Sequence, residues 1–410
     1  MGLQRRKHRE REPNYKLIYT LNGYSLVNPL GTGAFGKVHK CVSVETKQTV
    51  ALKSVKRWTG EKEVAMLEKL RTLDKDTANL IKFNRHFEFA GFLTLEFEML
   101  DMDLHQFVKC FSRPLQLCEV QVIVQQMLVA LSALKSVRVV HTDIKPDNIM
   151  LINHEQLPFK VKLIDFGLAH STSDMSIGSK HQATLYRAPE VLLGLPLHEG
   201  VDMWSLGCVA AFLYLGKHLY PSRCEHERVR DTVQLHGLPG EHLLNSGVYT
   251  KQYFKKDEEF PSSSWRINET CRCPKGLPKR RTHGPYQRKF IFHRLSSLDD
   301  IVKTFPETSG NEEAFVSLLN EMMAVDASER ITPGKALMHP FISTGQSSSV
   351  SPISTDRSSS SSCLIKQDWD HEKEPVKAKT PLFKRICRFF RSRGQTISNQ
   401  LLLNRKTPIA

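Results

Sequence analysis

The sequence predicts an α+β fold of two lobes, in which a small β-rich lobe precedes a larger α-helical lobe. Residues 24–100 contain short valine-rich runs with glycines between them, a pattern typical of strands. From residue 101 onward the apolar residues recur mainly with helical periodicity. Residues 98–101 lie where the pattern changes, and they are predicted to form the hinge. The content of 40% hydrophobic and 25% charged residues is typical of a globular protein.

The small lobe, residues 24–100, is predicted to contain five strands and one helix. The helix is placed at Glu61–Leu73, because Val64, Leu67 and Leu70 form one apolar face between charged residues. The predicted strands are Tyr24–Leu30, Lys37–Val44, Thr49–Val55, Phe83–Phe89 and Phe92–Met99.

The large lobe, residues 101–342, is predicted to be mainly helical, with three short strands near its start. The predicted helices are Glu119–Val137, Val201–Leu215 and Asn311–Ala324. The predicted strands are Val139–His141, Asn148–Ile152 and Lys160–Ile164. Residues 239–295 are rich in proline, glycine and basic residues and show little periodicity, so we interpret them as an insertion in this lobe.

The flanking segments carry much of the net charge of +15. Residues 1–23 form a basic extension, and the Ser-rich residues 343–365 are predicted to be a disordered linker. Residues 366–410 form a basic tail, in which 382–393 is predicted to be an amphipathic helix with apolar residues at helical spacing. That helix could contact an anionic membrane, serve as a nuclear import signal, bind a partner, or fold back on the preceding domain. Its apolar residues are Phe383, Ile386, Phe389 and Phe390.

The cysteines and the N-terminal residues exclude several classes of protein. The 9 cysteines form no even framework and no secretory leader is apparent, so we expect reduced thiols and a location in the nucleus, the cytoplasm or both. Cys271 and Cys273 lack a second ligand pair at zinc spacing. The apolar stretch Met203–Leu215 is too short to cross a bilayer and is predicted to be a buried helix.

A glycine-rich stretch lies between the first two predicted strands. Glycines allow backbone N–H groups to approach phosphate oxygens where a Cβ would collide. A dinucleotide-binding fold would need a helix after the glycines, whereas a strand is predicted here. The phosphates of a nucleotide are therefore expected to lie under a β-hairpin. The stretch consists of Gly31, Thr32, Gly33, Ala34, Phe35, Gly36, Lys37 and Val38.

Lys53 lies in the next predicted strand, after Val50, Ala51 and Leu52. Its ammonium group could bridge two phosphates, provided that a carboxylate holds it at the right angle. Glu63 on the following helix suits that role. Because the helix phase cannot be fixed to one residue from sequence, Glu61 is the alternative partner.

Residues 141–148 contain three polar side chains to which catalytic or metal-binding roles can be assigned. Asp143 could accept or orient the proton of a substrate hydroxyl, and Lys145 could neutralise charge on a transferring phosphoryl group. Asn148 could supply a neutral oxygen to Mg²⁺. Asp165, which follows a short apolar strand, could supply a charged oxygen, and Mg²⁺ prefers such hard ligands beside phosphates.

Together, in this order, these segments resemble the protein kinase superfamily over residues 24–342. Further likeness comes from Ala188-Pro189-Glu190, from Asp202–Gly207, and from Arg330, which resembles the partner of Glu190. Residues 186–190, 192–196 and the insertion resemble the branch of cyclin-dependent, mitogen-activated and dual-specificity kinases. Residues 202–208 and 236–239 resemble the homeodomain-interacting protein kinases.

The resemblance implies a bilobal kinase fold, with ATP and Mg²⁺ as cofactors and transfer of the γ-phosphoryl group to Ser or Thr in proteins. A proline after the target residue would be preferred, with Arg187 shaping that pocket, and dual specificity is compatible with the branch. Leu67, His141 and Phe166 would form the apolar spine between the lobes. Residues that the resemblance assigns to the nucleotide, besides Lys53 and residues 31–38, are Leu30, Ala51, Phe97, Glu98 and Leu100.

Partners are also implied by the resemblance. We expect protein substrates, transcription regulators among the partners, a monomeric chain, and no direct binding of nucleic acid. The alternative is a weakly active kinase or a pseudokinase scaffold that binds nucleotide and partner proteins. Retention of the six residues assigned to catalysis and metal binding favours an active enzyme. They are Lys53, Glu63, Asp143, Lys145, Asn148 and Asp165.

Three residues depart from the family pattern. Thr142 replaces an arginine that many kinases use to hold a phosphorylated activation segment. Lys180 stands where related kinases carry an activating tyrosine, and Tyr186 is the only tyrosine between Asp165 and Glu190. We therefore predict that activity does not need tyrosine phosphorylation in this segment. Ala183 lacks the hydroxyl that Ser/Thr kinases place beside the catalytic Asp and Lys, and the adjacent Thr184 is the alternative source of one. The pattern therefore predicts slow activity rather than none.

Overall fold

In a computed structural model, the chain is described over residues 20–33, 36–110, 114–222, 224–256, 265–268, 295–304 and 311–343. The small lobe is a six-stranded antiparallel sheet in the order β1-β2-β3-β4-β6-β5. The five predicted strands are confirmed, with ends within three residues. The strands are β1 (Thr20–Leu21), β2 (Tyr24–Gly33), β3 (Gly36–Ser43), β4 (Thr49–Lys56), β5 (Phe83–Phe89) and β6 (Phe92–Glu98).

Helix α1 (Arg57–Lys69) follows β4 directly and packs against β4 and β6. It begins four residues before the predicted start, and its first turn packs through the buried Gly60 against Val55 and Leu93. A glycine adds nothing to an apolar periodicity, so the sequence pattern does not reveal this turn. The buried face of the helix carries Gly60, Glu63 and Leu67. An acidic side chain on the buried face of a helix requires a partner.

The large lobe is mainly helical, and its core helix is α5 (Gly200–Leu215), of which every residue is buried. Helix α3 (Leu117–Ser136) packs against α5 and β9; by length and hydropathy it could cross a bilayer, but half of that stretch is buried in the protein. The other helices are α2 (Leu104–Cys110), α4 (Pro189–Leu193), α6 (Glu225–His236), α7 (Glu241–Ser246), α8 (Thr250–Tyr253), α9 (Glu312–Met322), α10 (Pro333–Ala336) and α11 (Pro340–Ser343). The strands are β7 (Val139–Val140), β8 (Ile149–Asn153), β9 (Leu157–Leu163), β10 (His170–Ser171), β11 (Phe254–Lys256) and β12 (Trp265–Ile267).

Part of the interpreted insertion, 239–295, is folded onto the large lobe. Helices α7 and α8 and the β11–β12 pair pack with Leu192 and Leu193 of α4 in a separate apolar cluster. Each of these elements has six residues or fewer, which is too short for apolar periodicity to reveal. The glycine-loop residues Ala34 and Phe35, Cys271 and Cys273, residues 1–19 and all of 344–410 lie outside the described residues.

The predicted pairing of Arg330 with Glu190 is confirmed. The two guanidinium nitrogens of Arg330 donate to the two oxygens of Glu190 at 2.7 and 3.0 Å, and both side chains are buried. Arg330 also donates to the carbonyls of Gly200 and Ala324. Arg330 thereby connects the start of α4 to the start of α5.

Candidate active site

Lys53 lies at the centre of a three-residue charge cluster in which Glu63 is buried and Asp165 is partly exposed. Its Nζ donates to both oxygens of Glu63 at 2.7 Å and to Oδ1 of Asp165 at 2.7 Å. The side chain of Glu63 is 1% exposed, whereas that of Glu61 is 57% exposed and is paired with Arg57. Of the two candidate partners for Lys53, the structure therefore selects Glu63.

Burial and the neighbouring charges shift the pKa of each of the three groups in this cluster. Burial alone would lower the pKa of Lys53, but the carboxylates of Asp165 and Glu63 outweigh it and raise that pKa. Burial would raise the pKa of Asp165, but the Lys53 ammonium outweighs it and lowers that pKa. The pKa of Glu63 is raised, chiefly by burial. Asp165 therefore carries a negative charge at neutral pH and can hold a cation.

Asp143, Lys145 and Asn148 form a second cluster around a 3-10 turn at Pro146–Asn148. Oδ2 of Asp143 accepts from Lys145 Nζ at 2.6 Å and from Asn148 Nδ2 at 2.9 Å. Asn148 Nδ2 also donates to the Asp143 carbonyl at 2.8 Å. Because both amide hydrogens are engaged, the side-chain oxygen of Asn148 is the atom that remains to act as a metal ligand.

Asp202, at the start of α5, holds the backbone that precedes Asp143. Its two oxygens accept from the N–H groups of His141 at 2.7 Å and Thr142 at 2.9 Å. Thr142 has a φ of 62°, a strained conformation for a β-branched residue, and its Oγ1 donates to the Leu168 carbonyl at 2.6 Å. Sequence reasoning did not assign this role to Asp202. The available signal was a lone carboxylate in the apolar run 201–215.

Asp202 predicts a specific pH dependence of stability. Burial raises its pKa to about 6, above the value of about 3.9 for an unfolded aspartate. The folded chain therefore binds the proton on Asp202 more tightly than the unfolded chain does. The contribution of that proton to the stability of the fold is complete below the unfolded pKa and is lost as pH rises to about 6. We expect the free energy of unfolding of the wild type, relative to Asp202→Asn, to fall by about 2–3 kcal/mol between pH 4 and 7. Urea unfolding at several pH values measures it, and a constant difference would contradict the assignment.

The glycine-rich hairpin joins β2 and β3, with Gly31 opposite Val38 and Gly33 opposite Gly36. A Cβ on Gly31 would meet no atom within 4 Å, so this glycine leaves open space beside the sheet. A Cβ on Gly36 would instead overlap the carbonyl oxygen of Ser54. Close approach of β3 to β4 therefore already requires glycine at 36, a reason distinct from the predicted contact with phosphate.

The strands next to Lys53 carry the residues assigned to the nucleotide. Val38 lies opposite Lys53 and Ala51 lies opposite Phe97, and Leu100 is buried just beyond β6. Leu30, in β2, is 40% exposed. Thr32 and Lys37 pair with each other in the hairpin. Lys53 also lies opposite Leu95 of β6, and β6 ends at Glu98. Residues 98–100 therefore lie at the end of the strand next to Lys53.

The spine residues predicted to link the lobes are Leu67, His141 and Phe166, and all three are buried. The rings of His141 and Phe166 pack edge to face with centroids 5.0 Å apart. His141 Nε2 also lies 2.9 Å from the carbonyl of Ile164. Through these contacts the segment carrying Asp143 and the segment carrying Asp165 are fixed side by side.

Comparison with known proteins agrees with this geometry. The family profile described as "Protein kinase domain" matches residues 24–342. The chain belongs to the protein kinase family. A kinase domain implies use of ATP as the phosphoryl donor.

The similar kinases include homeodomain-interacting protein kinase 2 of Mesocricetus auratus, which is 37% identical over 338 residues, covering 78% of this chain and 28% of that protein. Homeodomain-interacting protein kinase 1 of Mus musculus is 37% identical over 340 residues, covering 78% of this chain and 27% of that protein. Homeodomain-interacting protein kinase 4 of Homo sapiens is 34% identical over 344 residues, covering 79% of this chain and 55% of that protein. The chain thus spans only part of the length of these kinases.

Proposed function

We propose that this kinase is an active Ser/Thr protein kinase that transfers the γ-phosphoryl group of ATP to hydroxyl groups of proteins. The observation that carries the proposal is the pair of clusters described above. Lys53, Glu63 and Asp165 lie within direct hydrogen-bonding distance, as do Asp143 and its neighbours Lys145 and Asn148.

The residues fit MgATP by the chemistry of their donors. When bound, MgATP supplies the phosphoryl group together with a cation that neutralises the phosphate oxygens. Asn148 and Asp165 would hold that cation through hard oxygen ligands. Lys53, fixed by Glu63, would hold the phosphates beneath the hairpin that contains Gly31.

The hydroxyl substrate is assigned to the second cluster. Asp143 would orient the hydroxyl and accept its proton, and Lys145 would balance charge on the transferring group. Phe97, Glu98 and Leu100 would bind the adenine ring. A preference for proline after the target residue is proposed because residues 186–190 resemble the branch of cyclin-dependent, mitogen-activated and dual-specificity kinases. Arg187 would shape the pocket for that proline.

Partners and compartment are proposed from the relatives. Their name indicates kinases that interact with homeodomain proteins, so transcription regulators are proposed as partners of this chain, with a location in the nucleus, the cytoplasm or both. We also propose a catalytic domain at 24–342, followed by the linker 343–365 and the basic tail 366–410.

A peptide array with the purified chain and Mg²⁺-ATP tests the proposal, because it reports activity and residue preference together. We expect label on Ser and Thr peptides, enriched where proline follows. Label on tyrosine peptides alone would contradict the Ser/Thr assignment, and equal labelling with other residues after the target would remove the proline preference.

Ala183 supports the second candidate, a weakly active kinase or scaffold. The Ala183 side chain is a methyl group, so it can neither donate a hydrogen bond to Asp143 nor accept one from Lys145. We expect Ala183→Thr to raise kcat several-fold, because an added hydroxyl would help position both groups. Ala183→Val is the matched control, since valine has the shape of threonine without the hydroxyl. Steady-state kinetics with one peptide measures this, and an equal effect of the two variants would rule out the hydroxyl as the cause.

A further inference from the structure

The segment after Asp165 is attached to the large lobe by a cluster in which only Arg187 has a proposed role in substrate binding. We call it the latch; on the segment it comprises Gly178, Lys180 and Arg187, and on the large lobe Glu225, Tyr249 and Tyr253. Glu225 is the first residue of α6, and the two tyrosines lie in or beside α8.

Glu225 is the centre of the latch. Its Oε2 accepts from Lys180 Nζ at 2.8 Å and from the Tyr253 hydroxyl at 2.9 Å. Its Oε1 accepts from Arg187 Nη1 at 2.5 Å. Burial alone would raise the pKa of Glu225, but the hydrogen bonds from Lys180 and Tyr253 outweigh it and lower that pKa. One carboxylate therefore binds two cations that come from opposite ends of residues 180–187.

Tyr249 also binds this stretch. Its hydroxyl donates to the Gly178 carbonyl at 2.7 Å, and Lys180 Nζ lies 5.3 Å from the centre of its ring, within range of a cation–π contact. Lys180 thus contacts both a carboxylate and an aromatic face of the large lobe.

Arg187, which is paired with Glu225, also binds the backbone of the same segment. Its guanidinium donates to the carbonyls of His181 at 2.9 Å and Gln182 at 2.8 Å. The Gln182 side chain in turn donates to the Val201 carbonyl and to Ser205 on α5. Asp202 on the same helix holds the backbone of His141 and Thr142 beside Asp143. Residues 181–188 are therefore connected through α5 to the cluster where a hydroxyl substrate of the proposed kinase would bind.

We propose that Lys180 is a positioning residue that, through Glu225, holds residues 180–187 in the form that binds the peptide substrate, without phosphorylation of this segment. The anion that holds both cations is a side-chain carboxylate, so it is present as soon as the chain is folded. This inference rests on the proposed kinase function and adds how its substrate-binding segment is ordered.

The test compares Lys180→Met with two controls in phosphatase-treated full-length chain. Lys180→Arg keeps the charge. Lys135→Met removes a lysine with the same side-chain exposure, 45%, whose partner Glu199 lies elsewhere on the large lobe. Peptide KM, ATP KM and kcat are measured at low and high salt, together with Asp143→Asn.

We expect Lys180→Met to raise the peptide KM about two- to fivefold at low salt, the range for a half-exposed ion pair, and less at high salt. ATP KM should not change, and both controls should match the wild type. An unchanged peptide KM in Lys180→Met, or loss of activity in the phosphatase-treated wild type, would overturn the inference while leaving the kinase assignment intact. Undiminished phosphoryl transfer by Asp143→Asn would instead overturn the proposed function itself.

Discussion

Replacement of Asp143 by asparagine is expected to lower kcat by about 10²–10⁴-fold while nucleotide binding persists. Asp143 accepts hydrogen bonds from Lys145 at 2.6 Å and from Asn148 at 2.9 Å. Asparagine has nearly the same shape but cannot take a proton from a hydroxyl group. Since Asp143 makes no ion pair with Lys53 among the described residues, the Lys53 cluster that is proposed to bind the nucleotide should be unaffected.

Steady-state kinetics and calorimetric titration with Mg²⁺-ATP measure the two effects separately. Asp147→Asn is a suitable control, because Asp147 lies four residues further on in the same loop and its side chain is 53% exposed. We expect that control to retain most of the activity. Equal kcat for Asp143→Asn and the wild type would contradict the catalytic role of Asp143.

Replacement of Lys53 by methionine is expected to abolish both nucleotide binding and phosphoryl transfer, and to destabilise the fold. Methionine removes the cation between Glu63 and Asp165, each 2.7 Å from Lys53 Nζ. Breaking a buried ion pair by removing one partner costs about 3–5 kcal/mol, because the remaining charge is left without compensation. Urea unfolding gives the loss of stability, and titration with Mg²⁺-ATP gives the loss of affinity.

The two glutamates of α1 provide a matched control. Glu63→Gln removes the charge that holds Lys53 and should weaken activity strongly, whereas Glu61→Gln affects an exposed pair with Arg57 and should have little effect. Equal effects of the two variants would contradict the pairing. Wild-type affinity for Mg²⁺-ATP in Lys53→Met would contradict the role of Lys53 itself.

The fold class and the residues of both clusters could be predicted from sequence because their order along the chain is informative. The choice between Glu61 and Glu63 could not, since a shift of one or two residues in helix phase exchanges buried and exposed faces. The start of α1 at Arg57 was missed because its first turn shows no apolar periodicity: its buried residue is Gly60, and its one large apolar side chain, Trp58, is exposed. Helices α7 and α8 were missed because neither is long enough to show a periodic apolar face.

Contacts between distant segments were the other feature that sequence could not supply. Asp202 binds the backbone of His141 and Thr142 across about sixty positions of sequence, and no local pattern encodes that distance. Gly36 belongs to the glycine-rich stretch, yet its lack of a side chain is explained by its approach to Ser54. Lys180 was recognised as a departure from the family pattern, but its attachment to Glu225 depends on how α6 packs.

The most direct test of the central claim is transfer of labelled γ-phosphate from ATP to a generic basic protein by the purified chain, with and without Mg²⁺. We expect phosphoserine or phosphothreonine to form only when Mg²⁺ is present, and neither Asp143→Asn nor Lys53→Met to produce it. A chain that binds no nucleotide, or equal labelling by the wild type and both variants, would contradict the claim that these residues form one phosphotransfer site.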